Sequence, residues 1–233
     1  MRRIISFIFI FFFLFSSVSF AKEPSDTLKK YIDKTLEVFK TYDNPTNSTE
    51  YKLEFENKLI DLAKDIFAFD IMSRMVLGRH YRELSKAQQK EFECLFIELL
   101  AQNYFDKILS HVEDIKKFPR DNIKIIDQIV FSSRKAEVKT EIKYQDKYTP
   151  VNYRFVFLGK KWKIYDVYVE GVSLIKNYRS QFKDMLLKKS PKEVIDDLRA
   201  KLKDTKCSKK FNTGCFKLRS LYFMCNRGLW YAK

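Results

Sequence analysis

The sequence predicts an α+β fold, with helices flanking a four-stranded antiparallel meander. Three observations carry this. Apolar residues recur at helical spacing as far as Pro119, they alternate between Ile123 and Val169, and helical spacing returns after Gly171.

Leu28, Tyr31, Ile32, Leu36 and Phe39 form the first helical stripe, which Tyr42-Asp43-Asn44-Pro45-Thr46 interrupts. Asn47 with Glu50 reads as the cap of the next helix, whose stripe is Leu59, Leu62, Ala63, Ile66 and Phe67. Asn47-Ser48-Thr49 also fits a glycosylation sequon, but the cap needs no modification to explain it. Phe69 to Leu77 is a short amphipathic piece. Ser85 and Gln88 then form a capping box that opens a long helix with Phe92, Leu95, Phe96, Leu99, Leu100, Tyr104 and Ile108 on one broad face.

Ile123, Ile125 and Ile129 suggest a first strand, and Ala136-Val138-Thr140-Ile142-Tyr144 a second, whose other face is Glu137-Lys139-Glu141-Lys143. Val151, Tyr153, Phe155 and Phe157 form the third, and Trp162 to Val169 the fourth. Short links around Ser132-Ser133, Gln145-Asp146-Lys147 and Gly159-Lys160 imply hairpins. Strict alternation would put Trp162, Ile164 and Tyr168 on one face of the last strand and Tyr165, Val167 and Val169 on the other. A sheet apolar on both faces needs a cover on each: helices on one, a helix or a ligand on the other. Gly171 reads as the end of the sheet. Leu174, Ile175, Tyr178, Phe182, Met185 and Leu186 mark a helix, and Ser190-Pro191-Lys192-Glu193 starts another, with Pro at its first position. Its stripe is Val194, Ile195, Leu198 and Leu202, and periodicity ends at Lys203.

The chain has 233 residues, 45% hydrophobic and 32% charged, with five Gly and five Pro. That suits one domain with appendages and excludes collagen-like or low-complexity chains. Met1-Arg2-Arg3, the apolar run Ile4 to Phe15 and the small residues Ser19 and Ala21 read as a secretory signal peptide cleaved after Ala21. No Cys lies near that cut, so a lipid anchor is not expected. The expected organisation is a signal peptide over 1–21, a domain over 22–202, and a basic tail over 203–233 expected to be disordered. Of the net charge of +15, the tail holds +7, from eight Lys/Arg and one Asp. The body is only mildly basic, so nucleic acid is not an expected partner. Two histidines, His80 and His111, leave little room for a His-built metal site, and no metal or other cofactor is expected. Cys94 stands alone in a helical stripe. The spacings of Cys207, Cys215 and Cys225 fit no zinc or redox motif, and an oxidising compartment would allow disulfides among them.

No nucleophile elbow, zinc-protease or nucleotide-binding motif is present. Asp166 stands out because it interrupts an apolar strand. It is either a hydrogen-bonded strand residue or, in an exported cavity-bearing enzyme, an acid or base.

Two segments go further. Val76-Leu77-Gly78-Arg79-His80-Tyr81, followed by Ser85-Lys86-Ala87-Gln88-Gln89-Lys90-Glu91-Phe92, resembles an early signature of the MlaC family. Tyr165-Asp166-Val167-Tyr168-Val169-Glu170-Gly171-Val172-Ser173-Leu174-Ile175, with Asn177-Tyr178-Arg179-Ser180-Gln181-Phe182, resembles its second and more specific signature. The resemblance covers residues 24–202; the tail has no counterpart in it. It implies a highly curved antiparallel sheet packed with six or seven helices around a deep apolar cavity for acyl chains. It also implies a non-enzymatic periplasmic carrier whose ligand is a phospholipid. The implied partners are an inner-membrane ABC transporter with an MCE-domain ring and an outer-membrane lipoprotein–porin complex.

On that basis the expected acyl contacts are Met72, Val76, Phe92, Phe96, Leu100, Tyr153, Phe155, Trp162, Val169, Val172, Ile175 and Tyr178. Periodicity does not separate a cavity wall from ordinary core at any of them. Val172, beside Gly171, is the sharpest case, expected at a cavity mouth. Two other readings stand beside the carrier: the enzyme using Asp166, and an adaptor that binds anionic membrane through the basic tail.

Overall fold

The computed structural model describes residues 23–44 and 48–208, with side chains through 202. The expected signal peptide, Asn47 with its sequon, and most of the basic tail lie outside these residues. The described chain is α+β: seven α-helices and a five-stranded antiparallel sheet in the order β1-β2-β3-β4-β5. No described helix is long and apolar enough to cross a membrane.

Helix α1 spans Pro24–Lys40, and α2 spans Thr49–Ile66. Ser48 caps α2, its hydroxyl accepting from the Tyr51 N–H at 3.3 Å, one residue beyond the expected cap. Helix α3 covers Phe69–Leu77, and Gly78–Glu83 winds into a 3₁₀ turn. The capping box at Ser85 forms as expected and opens α4, Lys86–Ser110. A short helix, α5 (Val112–Lys116), leads to the sheet. The meander is β1 (Ile123–Ser132), β2 (Lys135–Tyr144), β3 (Lys147–Leu158) and β4 (Lys161–Val169).

The sheet departs from the sequence reading in two places. Gly171 does not end it. Glu170 and Gly171 both have positive φ (50° and 82°), which suits a two-residue hairpin turn, and Val172–Ser173 returns as a short β5. On β4, strict alternation fails. Arg154 pairs with Asp166 and Phe155 with Ile164, so Tyr165 is an extra residue in a bulge. Val167 and Val169 therefore share a face with Trp162 and Ile164, while Tyr168 turns to the other face with Asp166.

Both faces of the β3–β4 end are covered by helices. On one, Ala136, Val138, Phe155, Trp162 and Ile164 pack with Leu28 of α1 and Leu62 and Ile66 of α2. On the other, Val156 and Tyr165 join the main core with α3, α4 and the two closing helices, α6 (Leu174–Leu186) and α7 (Pro191–Ser208). Helix α7 runs past Lys203, where the sequence pattern stops. The α2–α3 junction is fixed to the free edge of β4, where Ala68 N–H donates to the Ile164 carbonyl at 2.8 Å. Cys94 on α4 is disulfide-bonded. The chain's other cysteines, Cys207, Cys215 and Cys225, lie outside the described side chains.

Candidate functional site: an apolar cavity between helices

A cavity of about 290 Å³ lies between α2, α3 and α4. Helix periodicity builds its walls. Glu56, Leu59, Ile60 and Ala63 recur at three and four residues along α2, and Ile97, Leu100, Ala101, Tyr104, Phe105 and Ile108 do so along α4. Phe67, Phe69, Met72 and, from α6, Leu174 complete the lining. Ile60, Phe69, Met72 and Ile97 are buried and form its floor, while Tyr104, 41% exposed, marks the open side.

Glu56 and Tyr104 are the only polar side chains among these residues. No nucleophile with an adjacent base is among the lining residues, and walls of this composition would keep water from an apolar ligand. Among the described residues, no group of three or more His, Cys, Asp or Glu could hold a metal ion.

The twelve expected contacts separate into four groups. Met72 and Leu100 line the cavity. Val76, Phe92, Phe96, Ile175 and Tyr178 are buried in the core continuous with its floor. There Phe96 meets Tyr178 edge-on at 5.4 Å and Phe92 meets Phe182 at 5.2 Å, closing the space between α4 and α6. The Tyr178 hydroxyl accepts from Asn103 at 2.9 Å, and burial raises its pKa. Tyr153, Phe155 and Trp162 lie across the sheet, against α1 and α2. Burial pushes the Tyr153 phenol up to about 12, so it stays neutral. Val169 and Val172 face each other across β4 and β5 and are 47% and 66% exposed.

Several lining residues were not among the expected contacts: Ile60, Phe69, Ile97, Ala101, Phe105, Ile108 and Leu174. The stripes of α2 and α4 were legible, but which side of each stripe faces empty space was not.

Asp166 is almost fully buried and saturated by structural donors. Its carboxylate accepts from the Val167 N–H at 2.9 Å, the Ser173 hydroxyl at 2.7 Å and the Ile175 N–H at 3.1 Å. Ser173 in turn caps α6 through the Lys176 N–H. Asp166 thereby joins β4 to the start of α6, beside Leu174, and is not itself among the lining residues.

No curated protein matches the sequence. Among solved structures, the fold is similar to that of a phospholipid-binding protein from Ralstonia solanacearum, solved in complex with a phospholipid. The TM-score is 0.62 at 17% identity, covering 78% of this chain and 99% of that one. The family model described as MlaC protein matches residues 29–200. With most of the chain inside that match and the expected α+β architecture in place, the protein belongs to the MlaC family.

Proposed function

We propose that this protein is a periplasmic phospholipid carrier, exported by a signal peptide cleaved after Ala21. It would shuttle lipid between an outer-membrane lipoprotein–porin complex and an inner-membrane MCE-domain ABC transporter. The observation that carries the reading is the cavity: apolar on nearly every side, placed between helices, in a chain of this family. The similar Ralstonia protein, with its bound phospholipid, supports the ligand class.

The energetics suit a carrier. A diacyl lipid has on the order of 30 methylenes at about 0.8 kcal/mol each. Their sum, roughly 24 kcal/mol, exceeds the ~18–21 kcal/mol ceiling of noncovalent affinity. Transfer therefore runs between two apolar phases, bilayer and cavity, where the difference is small enough to reverse. Taking a methylene at about a water's share of liquid, ~30 Å³, the present cavity admits on the order of ten methylenes. Loading a whole diacyl lipid would require α2 and α4 to part.

The test fills the cavity. Ala101→Trp places a large ring in the space between α2 and α4. The variant should fold, and lipid extracted from the purified mature protein and identified by native mass spectrometry should fall severalfold against wild type. A folded variant with its full lipid complement would refute this cavity as the acyl site. Wild-type protein carrying no lipid after membrane-free purification and incubation with phospholipid vesicles would refute the carrier reading.

A further inference from the structure

The two sequence segments that resemble the family signatures meet in space at Gly78 and Arg179, neither of which is among the cavity-lining residues. Gly78, at the start of the 3₁₀ turn, has φ 59° and ψ −130°, a conformation that L side chains rarely adopt. The Arg179 guanidinium of α6 packs over it, and a Cβ at Gly78 would lie 3.3 Å from Arg179 Nη2. Residues three apart eclipse in a 3₁₀ helix, so the turn carries ridges. On one ridge, Gly78 holds Arg179 and Tyr81 holds the Arg74 guanidinium, 5.7 Å from the ring centroid. On the next stand Arg79 and Arg82. On the third, His80 and Glu83 pair with each other at 2.9 Å.

Arg74, Arg79, Arg82 and Arg179 are all exposed, and none is ion-paired to a described carboxylate. Of the other described arginines, Arg120, Arg154 and Arg199 are ion-paired, to Asp33, Glu137 and Glu91, while Arg134, exposed in the turn between β1 and β2, has no carboxylate partner. Four of the five described arginines without a carboxylate thus lie on or against one 3₁₀ turn: Arg79 and Arg82 on it, Arg74 on its Tyr81 and Arg179 on its Gly78. Two of them are held against glycine or an aromatic ring rather than waving free.

We infer that this arginine cluster docks a partner protein through a carboxylate-rich surface. Planar, partly pre-oriented guanidiniums suit bidentate carboxylates. A membrane surface is the weaker fit, because no large exposed apolar side chain lies on α3 or on the Gly78–Glu83 turn to enter the headgroup region. The chain's own tail is not the occupant by charge, with eight Lys/Arg against one Asp.

The test uses a fluorescent octaglutamate peptide as probe, followed by anisotropy with full-length mature protein at low and physiological salt. Wild type should bind it with an affinity that falls as salt rises. Arg79→Gln with Arg82→Gln should weaken binding about tenfold, and adding Arg179→Gln should weaken it further. The matched control, Lys117→Gln with Lys124→Gln, removes equal charge elsewhere and should bind as wild type does. Circular-dichroism melting and lipid extraction on the same preparations should show no change in the Arg79/Arg82 variant. That separates this result from the fate of the carrier reading. Equal weakening in the lysine control, or no weakening in the arginine variants, overturns the inference. So does binding to phosphatidylglycerol vesicles that exceeds peptide binding and is lost on the same arginine substitutions.

Discussion

Asp166 shows how one side chain can join three elements. Its three donors come from β4, β5 and the first turn of α6. Asp166→Ala would strand the Ser173 hydroxyl and the Ile175 N–H in the interior. A buried unsatisfied group costs about 1–3 kcal/mol, so a loss of about 2–4 kcal/mol is expected, a fall in Tm of roughly 5–15 °C. Asp166→Asn keeps an acceptor and should lose less. An unchanged melting curve for Asp166→Ala would contradict this linking role. Val172 gives the opposite case. At 66% exposure its side chain is largely in water, so Val172→Glu should cost no more than ~0.5 kcal/mol and should keep bound lipid. Melting and lipid extraction on one preparation check both; an unfolded or emptied variant would place Val172 in the working site after all.

At the scale of elements, caps and stripes decide. The box at Ser85 is reciprocal. Its hydroxyl accepts from the Gln88 N–H, and the Gln88 side-chain carbonyl accepts from the Ser85 N–H at 2.9 Å. Ser85→Ala should lower stability by about 1 kcal/mol, read as a Tm shift of a few degrees, because α4 contributes to both the core and the cavity wall. A shift near zero would mean that packing alone sets where α4 begins. Strand β4 shows where an element misleads. Its residues alternate well enough to suggest two clean faces, but the bulge at Tyr165 reverses the alternation halfway along. Val167 thereby joins the α1 side, and Tyr165 joins the core under α3 and α6.

Across the whole molecule, Asp65 of α2 binds Lys34 of α1 at 3.0 Å and Lys161 of β4 at 2.6 Å. Burial pushes its carboxyl upward, but hydrogen bonds from Lys161 and Lys34 outweigh this and hold it below the ordinary range. A carboxyl depressed in the folded state stabilises above its unfolded pKa, about 4, and that contribution disappears as pH falls through the folded value. The three groups are more than a third exposed, so the effect is modest. Denaturant melts of wild type and Asp65→Asn should differ at pH 6, and the gap should close progressively as pH falls below about 4. A gap that persists or widens in acid would show that Asp65 acts through packing instead of charge.

The sequence by itself determined the order of the main helices, the first four strands of the meander, the capping boxes of α4 at Ser85 and of α7, where Ser190 and Glu193 exchange hydrogen bonds, and the family, because these rest on local periodicity and contiguous residues. Its two signature segments pointed to the family without revealing that they touch, Arg179 on Gly78. Only the tertiary structure decided which apolar residues face empty space. Met72 and Val76, one helical turn apart on α3, have the same periodicity, yet Met72 lines the cavity and Val76 is packed core. Burial makes both sites apolar, so hydrophobicity records removal from water. What separates a cavity wall from core is whether the facing element approaches to contact distance, and that depends on how α2, α4 and the sheet lie against one another.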